Sequence, residues 1–302
     1  MAPILRWLGS KRVLMFTQAV QKMIKTRTSQ PVDAKPDFYS VVTGEGGLGQ
    51  GELWGEALFF VLAGGSTVAT AICGALFHLA CHPTAYARLA AEIRETFSSG
   101  REIQPGKKLA SCSYLRAVLD ESLRMTPPAP SPLWRELETY ASSGDEPFVV
   151  DGHIIPPGTE VGVHLWAILH NPEYFANPFA FQPERWLSPE DGGAPNTPLE
   201  REARATMRRA HVSFGLGDRS CAGKSMAYME SSVTIARILW YFDFQMAPGE
   251  AGRLGVGRQR RKDPWDGPDQ FQIYDVLGAD HDGPNLVFQV REKHCEDLKL
   301  KT

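Results

Sequence analysis

Residues 214–223 read FGLGDRSCAG, and this stretch decides the prediction of the fold. Cys221 follows a turn with two glycines and directly precedes residues 224–243, whose apolar stripe predicts a helix. The free N–H groups and the positive dipole end of a helix N-terminus stabilise a thiolate. Gly215 and Gly217 allow a tight turn that approaches a flat ligand. Cys221 is therefore either a thiolate ligand or a structural cysteine buried in a turn.

Three further patterns precede this stretch along the chain. Glu121 and Arg124, in ESLR, lie three residues apart on one predicted helical face. Arg185 lies in FQPERW, and residues 63–68 read AGGSTV within a long apolar segment. Each pattern alone has an ordinary explanation, such as a solvated surface pair or a packing patch of small residues. Their joint occurrence is what carries information.

In this order, the four patterns resemble the cytochrome P450 family. Residues 214–223 match its haem-thiolate signature F-x-x-G-x-R-x-C-x-G at every fixed position. The resemblance implies haem b as the cofactor and Cys221 as the axial ligand of the iron. It also implies that Arg219 pairs with a haem propionate and that Phe214 and Gly215 belong to the cofactor-binding loop.

The same resemblance implies a structural role for the paired charges. Glu121, Arg124 and Arg185 would form a buried carboxylate–guanidinium network that fixes the core behind the haem, a role that suits the bidentate geometry of arginine. Arg135 lies where the family often has an arginine that binds a propionate. A surface arginine is the alternative for Arg135.

The AGGSTV segment resembles the family's oxygen-activation motif A-G-x-(D/E)-T-T. Thr67 matches the key threonine and is predicted to be catalytic by holding a water next to bound oxygen. Ser66 is the second predicted catalytic residue, although the family usually has an acid at this position. Val68 replaces the second threonine, so both departures bear on proton delivery.

The order of predicted elements, with helices first and small sheets later, indicates a mostly α, α+β fold. We expect the C-terminal portion of the cytochrome P450 fold, with a long central helix and small β-sheets. Residues 1–302 would form a single, incomplete haem-binding domain that lacks the family's N-terminal part, as a natural short form or an incomplete gene model. Helices are predicted at residues 16–27, 52–81, 83–97, 113–125 and 224–243, and strands at 148–150 and 160–163.

Composition excludes other classes of protein. The formal net charge of -3 does not favour nucleic-acid binding, and five cysteines without CxxC or zinc-type spacing do not favour a disulfide framework. Residues 58–80 carry no Asp, Glu, Lys or Arg and could span a bilayer. A buried central helix is the preferred interpretation, because small residues cluster mid-segment and no aromatic belt flanks it. We expect no signal peptide and no membrane anchor in this chain.

The resemblance implies a haem-thiolate monooxygenase that inserts one oxygen atom from O2 into an apolar small molecule. Residues 221–244 resemble fungal members that act in secondary metabolism. Electrons would come from NADPH through a flavoprotein reductase, on the cytoplasmic side, with contact to the endoplasmic reticulum surface left open. A basic cluster before the cysteine either attracts this acidic partner or lies in a solvated loop, and comprises Arg201, Arg204, Arg208 and Arg209. A non-catalytic remnant and a haem-thiolate isomerase or dehydratase are the alternative functions.

Overall fold

A computed structural model of the chain describes residues 2–31, 37, 39–40, 47–138, 147–257, 263–276 and 278–291, with the side chains of residues 2–13 and 50 excluded. In chain order the helices are α1 (Ala2–Thr28), α2 (Gln50–Cys81), α3 (Pro83–Thr96), α4 (Lys107–Ala110), α5 (Ser113–Met125), α6 (Leu165–Leu169), α7 (Pro198–Ala210) and α8 (Lys224–Tyr241). Cys295 lies outside the described residues.

The chain divides into two compact units, Met1–Ser66 and Thr67–Thr302. The first unit contains α1 and the first part of α2, and the second contains all later elements. The single domain expected from the sequence stays a prediction. The second unit carries the cysteine loop and the paired charges.

The core of the second unit is built by α3, α5 and α8. Ile93, Leu119 and Leu239, one from each helix, belong to one apolar cluster and are at most 1% exposed. Full burial of one such side chain contributes about 1.5–3 kcal/mol to the free energy of unfolding. The same cluster includes Phe175, Phe181 and Trp186 from the meander around residues 171–198, so the meander packs against these helices.

The burial of α2 differs between its two halves. Phe59 and Phe60 are 61% and 45% exposed, whereas Phe77 and His78 are fully buried. The prediction of a helix buried all round is therefore wrong for the N-terminal half. The C-terminal half is buried because it packs against later parts of the second unit. Phe77 contacts Phe271, and His78 stacks on Phe181. Among the described helices only α2 has the length and apolar composition of a membrane span, which alone is weak support for one.

The described residues contain three small antiparallel sheets. They pair β1 (Val149–Val150) with β2 (His153–Ile154), β3 (Phe242–Met246) with β6 (Leu286–Val290), and β4 (Tyr274–Val276) with β5 (Gly278–Asp280). The strand predicted at residues 160–163 is wrong, because Val161 makes only an isolated bridge with Arg135. The helix predicted to residue 243 ends at Tyr241, where the chain enters β3.

Candidate functional site

The cysteine loop is closed by its own backbone. The N–H of Cys221 donates to the carbonyl of Phe214 at 2.8 Å, and the N–H of Ser220 donates to the carbonyl of Gly217 at 2.9 Å. Gly215 and Gly217 have φ angles of 70° and 71°, in the left-handed region that favours glycine. The two glycines and the two hydrogen bonds bring the cysteine back beside the start of the loop.

Cys221 lies three residues before α8, and its side chain is exposed. The first turn of α8 contains no acidic residue, so nothing within it opposes the positive end of the helix dipole. On the other side of the loop, the Phe214 ring lies 5.1 Å from the Tyr228 ring and 5.6 Å from the ammonium nitrogen of Lys224. The Cys221 sulfur is thus presented by a fixed loop at a helix N-terminus.

The donor set around Cys221 fits a haem iron. Structural zinc needs four protein ligands, and the described residues contain no cluster of three or more His, Cys, Asp or Glu side chains that could hold a metal ion. A haem iron takes four ligands from its macrocycle, so a single axial thiolate is enough. Within the described residues, one exposed cysteine outside any such cluster therefore suits haem better than a structural metal site.

Glu121, Arg124 and Arg185 form a buried ion network. Glu121 and Arg124 are both fully buried, and Nε and Nη2 of Arg124 donate to Oε2 and Oε1 of Glu121 at 2.9 and 2.8 Å. Nε of Arg185 donates to the same Oε1 at 3.1 Å. The indole N–H of Trp186 donates to Oε2 at 2.9 Å, and the amide of Gln182 donates to Oε1 at 2.9 Å. The structure thus brings the three predicted network residues together.

The remaining donors of Arg124 bind main-chain carbonyls. Its Nη1 donates to the carbonyls of Leu169 at 2.9 Å and Pro178 at 2.6 Å. Burial alone would raise the pKa of Glu121, but the charges and hydrogen bonds of Arg124 and Arg185 outweigh burial and hold this pKa below its usual value. The network therefore stays ionised and ties α5 to α6 and the meander.

A model of the family described as "Cytochrome P450" matches residues 7–255. The chain belongs to the cytochrome P450 family. It is 33% identical to a protein named cytochrome P450 monooxygenase from Gibberella zeae, over 93% of this chain and 61% of that protein. It is 36% identical to cytochrome P450 monooxygenase apf7 from Gibberella fujikuroi, over 93% of this chain and 52% of that protein. The chain thus spans only part of the length of these curated P450 relatives.

Solved structures agree on the fold. A crystal structure of a cytochrome P450, CYP102L1, superposes with a TM-score of 0.66 at 22% identity, covering 92% of this chain and 56% of that one. This likeness shows the P450 fold of the chain, which confirms the predicted fold class. The likeness shows the fold alone, so the roles of individual residues are argued from the hydrogen bonds and exposure of this chain.

The other predicted P450 site residues differ in exposure and in local hydrogen bonding. Ser66 is exposed, and its hydroxyl donates to the carbonyl of Leu62 at 2.7 Å, as serines within helices often do. Thr67 is half-buried in α2. Arg219 is exposed at the end of a short 3-10 turn. Arg135 is exposed and donates from Nη1 to the carbonyl of Trp134 at 2.9 Å. Exposed guanidinium groups at Arg219 and Arg135 are compatible with propionate binding.

Sequence reasoning missed two groups of residues at this site. The FQPERW stretch includes Trp186, but its part in the ion network was not predicted. Its indole N–H donates to Glu121. His211 and Ser213 immediately precede the signature and were not singled out. The sequence feature that could have indicated them is two polar side chains directly before the apolar and glycine-rich residues 214–217.

Proposed function

We propose that this chain is the haem-binding part of a P450 monooxygenase, with Cys221 as the thiolate ligand of haem b. The whole protein would insert one oxygen atom from O2 into an apolar small molecule, in fungal secondary metabolism. The observation that carries the proposal is the exposed Cys221 sulfur, held by a closed loop at the N-terminus of α8. The names and fungal sources of the relatives support the reaction class.

Each site residue has a role in this proposal. When bound, the haem would supply the oxygen chemistry that protein side chains lack. Cys221 would bind the iron, and Arg219 and Arg135 would pair with the propionates. Thr67 would hold a water and a proton at its Oγ1, with Ser66 beside it in the same helix. Phe214 and Gly215 would shape the loop against the cofactor.

The basic cluster proposed for partner docking lies on α7 and not in a loop. Its arginines are partly engaged: Nη1 of Arg204 donates to the carbonyl of Ala194 at 3.0 Å, and Nη2 of Arg208 donates to the carbonyl of Trp186 at 3.3 Å. Arg201 and Arg209 are exposed. Their charge would attract the acidic surface of an NADPH-dependent flavoprotein reductase on the cytoplasmic side.

Two observations favour other functions. The exposed apolar side chains of Met226 and Met229, near the start of α8, favour a non-catalytic remnant that binds haem poorly. Ser66, in the place of the usual acid, favours an isomerase or dehydratase that needs no external oxygen. Both keep the same family and differ in what the site does.

The reduced, CO-bound absorption spectrum of the purified chain tests the proposal. A thiolate-type band is expected, and its absence would favour the remnant. With NADPH and a flavoprotein reductase supplied as the electron source, product formation from candidate apolar substrates is then compared with and without O2. Turnover that needs O2 supports the monooxygenase, whereas turnover without O2 would favour the isomerase or dehydratase.

A further inference from the structure

The Leu123 carbonyl, near the end of α5, has no helical partner. In a helix, the carbonyl of residue 123 would accept from the N–H of residue 127, but residue 127 is proline and has no N–H. A donor from outside the helix takes the place of this N–H: the hydroxyl of Ser213 donates to the carbonyl of Leu123 at 3.1 Å. Ser213 thereby attaches the chain just before the cysteine loop to α5.

This hydrogen bond fixes the role of His211. A serine hydroxyl has one proton, and that proton is used on Leu123. Nε2 of His211 lies 3.2 Å from Oγ of Ser213, so the ring must donate and the serine oxygen must accept. Burial lowers the pKa of His211 and so favours the neutral ring, and the contact with Ser213 then places its single ring proton on Nε2. Ser213 is therefore held between a donor and an acceptor.

The His211 ring is also placed by the ion network. Its centroid lies 4.7 Å from the ring centroid of Trp186, whose N–H donates to Glu121. On the other side, the carbonyl of Phe214, the next residue after Ser213, accepts the N–H of Cys221 at 2.8 Å. A continuous set of contacts thus runs from Glu121 to the backbone of the proposed ligand.

We propose that His211 and Ser213 are positioning residues that clasp the cysteine loop to the end of α5 and so fix the backbone of Cys221. The clasp acts on Cys221 through Phe214, whose carbonyl accepts the N–H of Cys221. Its chemical meaning rests on the proposed function, because a fixed loop matters most if Cys221 binds iron. Its structural content stands without haem and can be measured without it.

Amide hydrogen exchange at Cys221, read on the haem-free 302-residue chain, tests the clasp directly. S213A should speed exchange of this amide about five- to tenfold, the factor expected for loss of a hydrogen bond of typical net strength. S213T keeps a hydroxyl and should stay within about twofold of the wild type. The amides of α3 are the internal control and should not change in either variant.

His211 provides a second pair of variants. H211F keeps an aromatic ring against Trp186 but loses the donor, and should speed exchange at Cys221 about threefold. H211Q restores an N–H donor and should return the rate toward that of the wild type. Unchanged exchange at Cys221 in both S213A and H211F would overturn the proposal. An equal rise at Cys221 and in α3 would also overturn it, because the effect would then be global.

The haem-loaded chain gives an independent readout. S213A should lower the share of the thiolate-type band in the reduced, CO-bound spectrum, and S213T should not. A wild-type spectrum without that band would contradict Cys221 as the ligand but would leave the exchange result as the test of the clasp. A thiolate-type band that S213A leaves unchanged would contradict a positioning role toward the ligand.

Discussion

The Glu121 network and the Cys221 loop lie at opposite extremes of exposure. Glu121 is fully buried and accepts five hydrogen bonds, from Arg124 twice, Arg185, Trp186 and Gln182. Cys221 is exposed, and its loop is closed by backbone hydrogen bonds. The first region satisfies every charge from within the protein, whereas the second leaves a reactive atom open to an external partner.

The difference separates stability from chemistry. A buried charge that loses its partner carries a large desolvation cost, so changes in the network should lower the free energy of unfolding. An exposed thiol has little packing to lose, so changes at Cys221 should alter ligation and leave stability nearly unchanged.

Arg124→Ala should have the largest effect. It leaves Glu121 buried with fewer partners and removes the donors to the carbonyls of Leu169 and Pro178. The free energy of unfolding in urea should fall by about 3–5 kcal/mol. Arg116→Ala on the same helix is the matched control, because the Arg116 side chain is 54% exposed and its pair with Asp120 should contribute at most about 1 kcal/mol. Equal losses in the two variants would contradict the comparison.

Acid should destabilise the protein through buried histidines. Burial lowers the pKa of His78 from 6.5 to about 3 and that of His170 to about 4. As the pH falls below about 6.5, the unfolded chain takes up protons that the folded chain does not, so stability falls. His78 alone should account for about 2 kcal/mol of this loss between pH 7 and pH 5.

His78→Phe tests this pH dependence. The variant keeps a ring against Phe181 but cannot be protonated, so unfolding free energies measured from pH 7 to pH 5 should decline less steeply. It also removes the partner of the Thr126 hydroxyl, a loss expected at every pH. His153→Phe at an exposed strand position is the control and should keep the wild-type slope. An unchanged slope in His78→Phe would show that other groups cause the acid effect.

Arg185→Lys should have a smaller effect than either change above. Lysine keeps the charge beside Glu121 but lacks the forked donors that also reach the carbonyl of Ala176 at 2.8 Å and Oε1 of Gln182 at 2.9 Å. A loss of about 1–2 kcal/mol is expected in urea unfolding. Arg201→Lys on the exposed face of α7 is the control. A loss as large as that of Arg124→Ala would mean that charge alone does not hold the network.

The sequence predicted the ends of helices that are followed closely by proline. The helix of residues 113–125 was predicted with the bounds that α5 has, because two prolines follow Thr126. The end of α2 at Cys81 was likewise predicted, since Pro83 cannot continue the helix. The joint motifs predicted which charges would meet, although Glu121 and Arg185 are 64 residues apart.

Other features depend on contacts that local patterns do not contain. The helix α7 was missed, although Thr197 accepts the N–H of Glu200 at 3.2 Å and Pro198 occupies the first helical position, a recognisable N-terminal signal. Pro127 allows the prediction that the carbonyl of Leu123 has no helical N–H partner. Its observed partner, Ser213, could not be predicted, because 90 residues separate them and only the fold brings them together.

The reduced, CO-bound spectrum of Cys221→Ala tests the central claim most directly. The haem-loaded variant should lose the thiolate-type band, while the free energy of unfolding of the haem-free variant stays within about 0.5 kcal/mol of the haem-free wild type. Cys73→Ala, Cys81→Ala and Cys112→Ala are the matched controls and should each keep the band. A thiolate-type band that persists in Cys221→Ala would contradict the assignment of Cys221 as the haem ligand.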